Sequence, residues 1–446
     1  MQFEDRRTFL KTAALSTAAL TVPTYSYGKV GEGSIIKGRK VNVAAIGCGS
    51  KGAGDIYACK DENVVALCDV DWRFVSEKND WGPNPLKQFP GAKLYNDYRK
   101  MLREMGDKID AVTISTPDHM HFPPAMMAIE MGKHVFVQKP LTHTIEEARL
   151  LTAAARKHGV ITVMGNQGHC SEGIRLAKEW FQQGFLGDVR EVHIWHRTPE
   201  WKQGFKKMPP PEEAPKHFDW NLWLGVAPKR PFSHGYHPNT WRAWWDFGTG
   251  ALGDMGCHMF DASYWALELG YPTSVVAEAR GGSHLSGPVR SKVTFEFPAR
   301  GKMPPVTLKW YAGGNKPPRP EGISQQRWKE REWGQYWVGS KATLYDSSER
   351  CTSPRIIPED MAERPKTTIA RVPGGRPQLE WLRAIKGEGP KPGSNFDYSG
   401  PLTETVLLGN VAVRTPGVRI KWDAVAMNCT NSQKANALVR KKYRKF

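Results

Sequence analysis

Residues 40–69 read KVNVAAI GCGSKG AGDIYACKDEN VVALC D, and this stretch decides the fold. Residues 40–46 and 64–68 are short apolar runs that predict two buried strands. Between them Gly47, Gly49 and Gly52 stand in the spacing G-x-G-x-x-G, followed by helix-compatible residues through about Cys59. The glycines permit a tight turn, close approach of backbone to a pyrophosphate, and close packing of helix on strand. Gly47, Gly49, Ser50 and Gly52 are therefore candidate cofactor-binding residues, at a helix start whose free N–H groups and dipole favour phosphate. The second strand ends in Asp69, seventeen residues past Gly52. A carboxylate there accepts hydrogen bonds from the adenosine ribose and repels a 2′-phosphate, so NAD is favoured over NADP. Asp71 adds to that bias, and only Arg73 argues for NADP.

The alternation continues. Residues 98–105, 123–131 and 145–158 read as helices, the last two closed by Gly132 and Gly159. Residues 111–115, 134–137 and 160–164 read as strands. Strand–helix alternation of this kind predicts a Rossmann-type doubly wound parallel sheet over residues 39–165, with ligands outside the carboxyl ends of its strands. Ser115, Thr116, Pro117 and His121 lie at one such end, and Gln138, Lys139 and Pro140 at another. From residue 166 to 446, short β-type runs dominate: 189–196, 274–279, 289–297, 306–311 and 337–345. They predict an α+β domain built on a large, open, mostly antiparallel sheet with one face covered by helix. Residues 403–415 read helical and are expected to return to the Rossmann half. The fold class is thus α/β, and the uncovered sheet face is expected to be buried in a homo-oligomer, a dimer or tetramer.

The bulk numbers agree. A chain of 446 residues, 40% hydrophobic and 24% charged, buries ample core and divides into two domains. Its net charge of +18 brings no nucleic-acid recognition motif with it, so the basic residues read as solvated surface. The 17 tryptophans supply either core volume or flat platforms for sugar rings. Seven cysteines without a C-x-x-C pair predict no disulfide framework. Residues 1–28 carry Arg6 and Arg7 before a short, mildly apolar run, which resembles a twin-arginine signal. It predicts export to the periplasm, with the segment either removed or kept as an N-terminal anchor. No other stretch is long and apolar enough to span a bilayer.

These strand-end motifs resemble the Gfo/Idh/MocA oxidoreductases over nearly the whole chain after the signal. Residues 116–121, TPDHMH, resemble the family loop that lines the nicotinamide ribose. Gln138-Lys139-Pro140 resembles the family's Glu-Lys-Pro, with Gln in place of Glu, and the resemblance makes Lys139 the catalytic lysine. GDMGCHMFD, residues 253–261, resembles the second catalytic motif and places its carboxylate and histidine on Asp254 and His258. The family includes glycoside hydrolase family 109, which cleaves glycosides by transient oxidation with bound NAD.

The residues themselves suit that chemistry. Asp254, His258 and Asp261 are spaced i, i+4 and i+7, and share a face if a helix opens at Asp254 and runs to Leu269. Oxidising a secondary alcohol removes the hydroxyl proton as hydride leaves. His258 can take that proton, Lys139 can stabilise the developing alkoxide, and Asp254 can accept from a neighbouring hydroxyl or orient His258. A metal reading of Asp254, His258 and Asp261 lacks any H-E-x-x-H or C-x-x-C support and has a lysine beside it, so no metal is expected. His169, Tyr236, Trp241 and Arg242 are the candidate substrate-binding residues, with Trp244 a second stacking candidate. The expected function is NAD-dependent oxidation of a secondary hydroxyl of a sugar, polyol or glycoside. The alternative is a redox-neutral glycoside hydrolase or lyase, and a non-catalytic sugar-binding relative is disfavoured by the complete Lys139, Asp254 and His258 set. NAD is expected to be tightly bound, because the periplasm has no obvious NAD supply.

Overall fold

A computed structural model describes residues 35–446 except 77–79, 198, 200 and 360–362. The expected signal at residues 1–28 lies outside the described residues. The first half is a six-stranded parallel sheet in the order β3-β2-β1-β4-β5-β6. Its strands are β1 Asn42–Ile46, β2 Asn63–Cys68, β3 Lys93–Tyr95, β4 Ala111–Ile114, β5 His134–Val137 and β6 Thr162–Met164. Three of its helices position the site: α1 Lys51–Tyr57, α2 Phe122–Glu130 and α3 Ile145–His158.

The two faces of this sheet follow from strand periodicity. Val43 and Ala45 of β1 join a core with Ile56 of α1, while Ala44 and Ile46 point the other way onto Met101, Leu102 and Ile129. Helix α3 is bounded by local chemistry. Thr144 and Glu147 form a reciprocal capping box, and Gly159 ends the helix at φ +63°.

The second half is a nine-stranded sheet in the order β13-β12-β11-β7-β10-β9-β8-β14-β15. Its strands are β7 Val189–His196, β8 Ser274–Arg280, β9 Arg290–Phe297, β10 Val306–Ala312, β11 Gly334–Gly339, β12 Thr343–Asp346, β13 Arg355–Ile357, β14 Ile420–Asp423 and β15 Asn428–Cys429. All pairs are antiparallel except β7 with β10. The single run expected at 337–345 is a hairpin, because the chain turns between Gly339 and Ala342.

Helices α4 Gly250–Met259, α5 Asp261–Ala266, α6 Pro377–Ile385 and α7 Phe396–Arg414 complete the frame. Helix α7 starts earlier than the pattern at 403–415 suggested: Asn395 caps it, and Pro401 is accommodated within it. Two glycines let α7 touch both halves. A Cβ on Gly400 would lie 2.4 Å from Thr152 Oγ1 of α3, and one on Gly409 would lie 2.7 Å from the Phe295 ring of β9. Helix α6 also packs on the parallel sheet, where Trp381 Nε1 donates to the Ile161 carbonyl at 3.1 Å.

Most tryptophans are core. Trp195, Trp244, Trp310, Trp337 and Trp381 are fully buried. All seven cysteines are free and buried. Two basic residues of the C-terminal tail are docked, while Arg440, Lys442 and Lys445 are exposed. Lys441 lies 3.0 Å from Glu147, and Arg444 donates to the Gly225 and Ala227 carbonyls.

Candidate active site

A cleft of ≈ 760 Å³ runs between the carboxyl ends of the parallel strands and the second domain. Gly47, Gly49, Ser50, Asp69, Ser115, Thr116, Pro117, His121, Gln138, Lys139, Trp241, Arg242, Asp254 and His258 all line it. Gly52 lies beneath the glycine turn. Its Cβ would sit 2.1 Å from the Gly47 carbonyl oxygen, and a Cβ on Gly47 would sit 2.7 Å from the backbone of Ser115. The cradle is therefore bare backbone by steric necessity, which suits a dinucleotide lying against it. Asp69 stabilises the turn, its carboxylate accepting from the Cys48 N–H at 2.7 Å and the Asp71 N–H at 3.0 Å. Beside it, Asp71 accepts from the Phe74 N–H and faces His237 at 3.2 Å.

One buried carboxylate organises the floor. Asp55 of α1 accepts from Ser115 Oγ at 2.8 Å, Gln138 Nε2 at 2.8 Å and Gln378 Nε2 at 2.7 Å, and pairs with Lys51. The Gln138 carboxamide is thus explained locally: the side chain must donate to a carboxylate, and a second carboxylate there would repel it. His121 joins the two strand-end loops, its ring nitrogens 2.7 and 2.8 Å from the Pro140 and Thr116 carbonyls.

The candidate catalytic residues meet as follows. Lys139 Nζ donates to Asp254 Oδ1 at 2.7 Å and to the Asp254 carbonyl at 3.0 Å. Arg242 Nε lies 3.5 Å from the same Oδ1, with its guanidinium 4.3 Å over the Trp241 ring. Burial works against ionisation of Asp254, but the charges of Lys139 and Arg242 overcome it and hold the carboxyl at about 2. His258 follows one turn later. Burial first, then the charges of Lys139 and Arg350, hold its imidazole well below 6.5, and its Nδ1 is buried without a partner.

Helix α4 opens at Gly250, four residues before the expected start, and breaks at Phe260 before α5. The break explains why Asp261 leaves the face that carries Asp254 and His258. Its carboxylate is buried, accepting from Tyr398 Oη at 2.5 Å and Asn166 Nδ2 at 2.9 Å. His169 goes with it. The ring is fully buried, with Nδ1 2.8 Å from Asp261 Oδ1, so this residue does not reach the cleft. Tyr236 is also outside the lining, held in an aromatic cluster with Trp220, Trp244 and Phe247. Trp244 is fully buried and stacked on Phe205, and offers no platform.

Several lining residues escaped the sequence reading. Asp118, adjacent to the expected loop residues, accepts from Thr249 Oγ1 at 2.6 Å, and burial lifts its carboxyl to about 7. Gln167, His196, Glu349 and Arg350 form the wall supplied by the second domain. Apart from Gln167, which stands in the GNQGH run that places it after β6, these residues sit in unremarkable local sequence. Among the described residues, no group of three His, Cys, Asp or Glu side chains is arranged to hold a metal ion.

A model of the oxidoreductase family's NAD-binding Rossmann fold matches residues 41–166, and one of the same family's C-terminal alpha/beta domain matches residues 172–287. The chain belongs to the Gfo/Idh/MocA oxidoreductase family. Residues 41–166 are thus that family's NAD-binding Rossmann domain, within the α/β architecture described above. Among curated relatives, an alpha-N-acetylgalactosaminidase of Shewanella oneidensis is 32% identical over 230 residues, covering 44% of this chain and 50% of the relative. A 1-carboxy-3-chloro-3,4-dihydroxycyclohexa-1,5-diene dehydrogenase of Comamonas testosteroni is 31% identical over 124 residues, 27% of this chain and 31% of the relative. The matches thus span half or less of these curated relatives. Among solved structures, the WlbA dehydrogenase of Bordetella pertussis in complex with NADH and UDP-GlcNAcA superposes with a TM-score of 0.60 at 17% identity, covering 86% of this chain and 99% of that one.

Proposed function

We propose that the protein oxidises a secondary hydroxyl of a sugar, polyol or glycoside, with Lys139 and His258 at the reacting hydroxyl. The observation that carries this reading is the Lys139–Asp254 contact with His258 one turn away on the same cleft wall. An ammonium group has three donors, and two of Lys139's are taken by Asp254. The third is left for a substrate oxygen, where it stabilises negative charge as the hydroxyl loses its proton. His258 is held neutral near pH 7, so it can receive that proton. Bound NAD supplies a hydride acceptor. Gly47, Gly49, Ser50, Asp69, Ser115, Thr116 and Gln138 are the residues that would hold it, and Trp241 and Arg242 are placed to meet the substrate.

A redox-neutral glycosidase reading is favoured by the family 109 relatives, several of which match over about 44% of this chain. One experiment separates the two. Purified protein is incubated with aryl glycosides and a sugar panel, with and without added NAD, while phenol release and reduced-nicotinamide absorbance are followed. Net NADH from free sugars supports the dehydrogenase. Phenol release without net NADH replaces it with the glycosidase, and absence of both phenol release and nucleotide reduction across the panel defeats both.

The arginine pair at Arg6 and Arg7 supports export to the periplasm, which cell fractionation of the full chain tests. Export would make a tightly held NAD and retention of the nucleotide through purification expected. The open face of the large sheet, around His193, Lys309 and Tyr311, is the surface we propose for homo-oligomer contact, tested by light scattering.

A further inference from the structure

Five cations line the substrate side of the cleft close to the second domain, and four of them are accounted for, Lys202 being exposed to solvent. Lys139 and Arg242 share Asp254. Arg197 faces Glu332 at 3.8 Å and lies over the Trp333 ring. Arg350 differs. Its Nε is buried with no hydrogen-bond partner, and among the described residues its guanidinium has neither a hydrogen bond nor an ion pair. The adjacent Glu349 makes no contact ion pair with it: its carboxylate lies 3.6 Å from His196 Nε2, and the Arg350 charge acts on it only from a longer distance.

The position is built. Arg350 follows β12, and its Cβ comes so close to the turn at Gln167–Cys170 that a Cβ on Gly168 would lie 3.0 Å from it. The glycine therefore admits the arginine to the cleft wall. Its charge reaches His258, where it acts with burial and Lys139 to disfavour the imidazolium. A partly buried guanidinium without a partner is costly to leave, since desolvation is repaid only by an anion. The glycine turn that suits the cofactor phosphates lies on the Rossmann wall. The anion that satisfies an arginine from the other domain is therefore brought by the substrate.

We infer that the substrate is a sugar acid, whose carboxylate pairs with Arg350 while its hydroxyl meets Lys139 and His258. A planar, two-pronged guanidinium matches a carboxylate better than a single hydroxyl. This rests on the proposed sugar oxidation, and the test separates the two. Full-length protein with its resident nucleotide, as wild type, Arg350→Gln and Arg350→Lys, is titrated calorimetrically with methyl glucuronide, methyl galacturonide, the matching neutral methyl hexosides and a sulfated hexoside. Turnover and NAD affinity are followed in parallel. The expected result is a uronide bound at least about 30-fold tighter than its neutral counterpart. Arg350→Gln abolishes that preference, Arg350→Lys restores part of it, and NAD affinity is unchanged. Equal binding of uronides and neutral hexosides, preference for the sulfated sugar, or loss of NAD affinity in Arg350→Gln overturns the inference. Because binding is read without turnover, absence of oxidation defeats only the catalytic reading.

Discussion

Replacing Gln138 by glutamate tests the organisation of the cofactor floor. The Gln138 carboxamide donates to Asp55 Oδ2 at 2.8 Å, and both side chains are buried. Gln138→Glu removes a hydrogen bond to a charged group, worth about 1.5–3 kcal/mol. It also sets two carboxylates in contact, and like charges about 3 Å apart do not both ionise. Lys51 is the only cation paired with Asp55 among the described residues. Keeping one carboxyl protonated near pH 7, against an ordinary Glu value of about 4.3, costs about 1.4 kcal/mol per unit, which makes about 3 kcal/mol the least expected loss. At about 1 °C per kcal/mol for a chain of this length, Tm falls by about 3 °C or more. NAD binding weakens as well, because Ser115 and Gln138 both face the cleft. The compensating change is Asp55→Asn, which restores a donor opposite the introduced carboxylate. Urea unfolding of wild type, both single variants and the double variant measures the coupling. It should exceed about 1 kcal/mol in favour of the double variant. A double variant no more stable than the two losses added together, or Gln138→Glu within about 2 °C of wild type, refutes the reasoning.

Further outcomes follow from the same geometry. Lys139→Met should lower hydride transfer by about 10³-fold with NAD affinity retained, read as kcat at the nicotinamide absorbance beside a nucleotide titration. His258→Asn should cost about 10²–10⁴-fold in kcat. Since burial holds this imidazole well below 6.5, the wild-type rate should show no His258-dependent inflection between pH 6 and 8; one that vanishes in the variant refutes the lowered imidazole. Asp118 works in the opposite sense on stability. Its folded carboxyl is raised from 3.8 to about 7, so the stability it contributes is complete below pH 3.8 and is lost as pH rises through 7. Asp118→Asn should therefore gain on wild type by up to about 4 kcal/mol between pH 4 and 7 and stay level above, measured by urea unfolding across that range. Gly52→Ala should destabilise the chain and abolish NAD binding, because the added methyl meets the Gly47 carbonyl at 2.1 Å, a backbone atom that cannot turn aside; a soluble variant with wild-type NAD affinity would contradict this.

The parallel sheet was legible because its signals are contiguous. Gly47, Gly49, Gly52 and Asp69 fall within one strand–turn–helix–strand unit, and each glycine has a local steric reason. Lys139, Asp254 and His258 were legible because strand ends and an i, i+4 spacing constrain where side chains can go. Direction beyond one helical turn was not. Asp261 shares the spacing of His258, but the break at Phe260 sends it to Asn166 and Tyr398 and takes His169 with it.

What the sequence by itself determined was therefore the strand–helix alternation of the parallel half, the glycine cradle, and the three side chains carried on rigid local elements. Tertiary structure alone decided which distant groups meet them. Gln378 comes 323 residues along the chain to Asp55, and Lys139 reaches Asp254 across 115. Arg350 enters from a strand end of the other sheet. Backbone periodicity is a short-range property written in neighbouring residues, whereas the pairing of buried charges is settled only when two sheets and the helix between them close on one cleft.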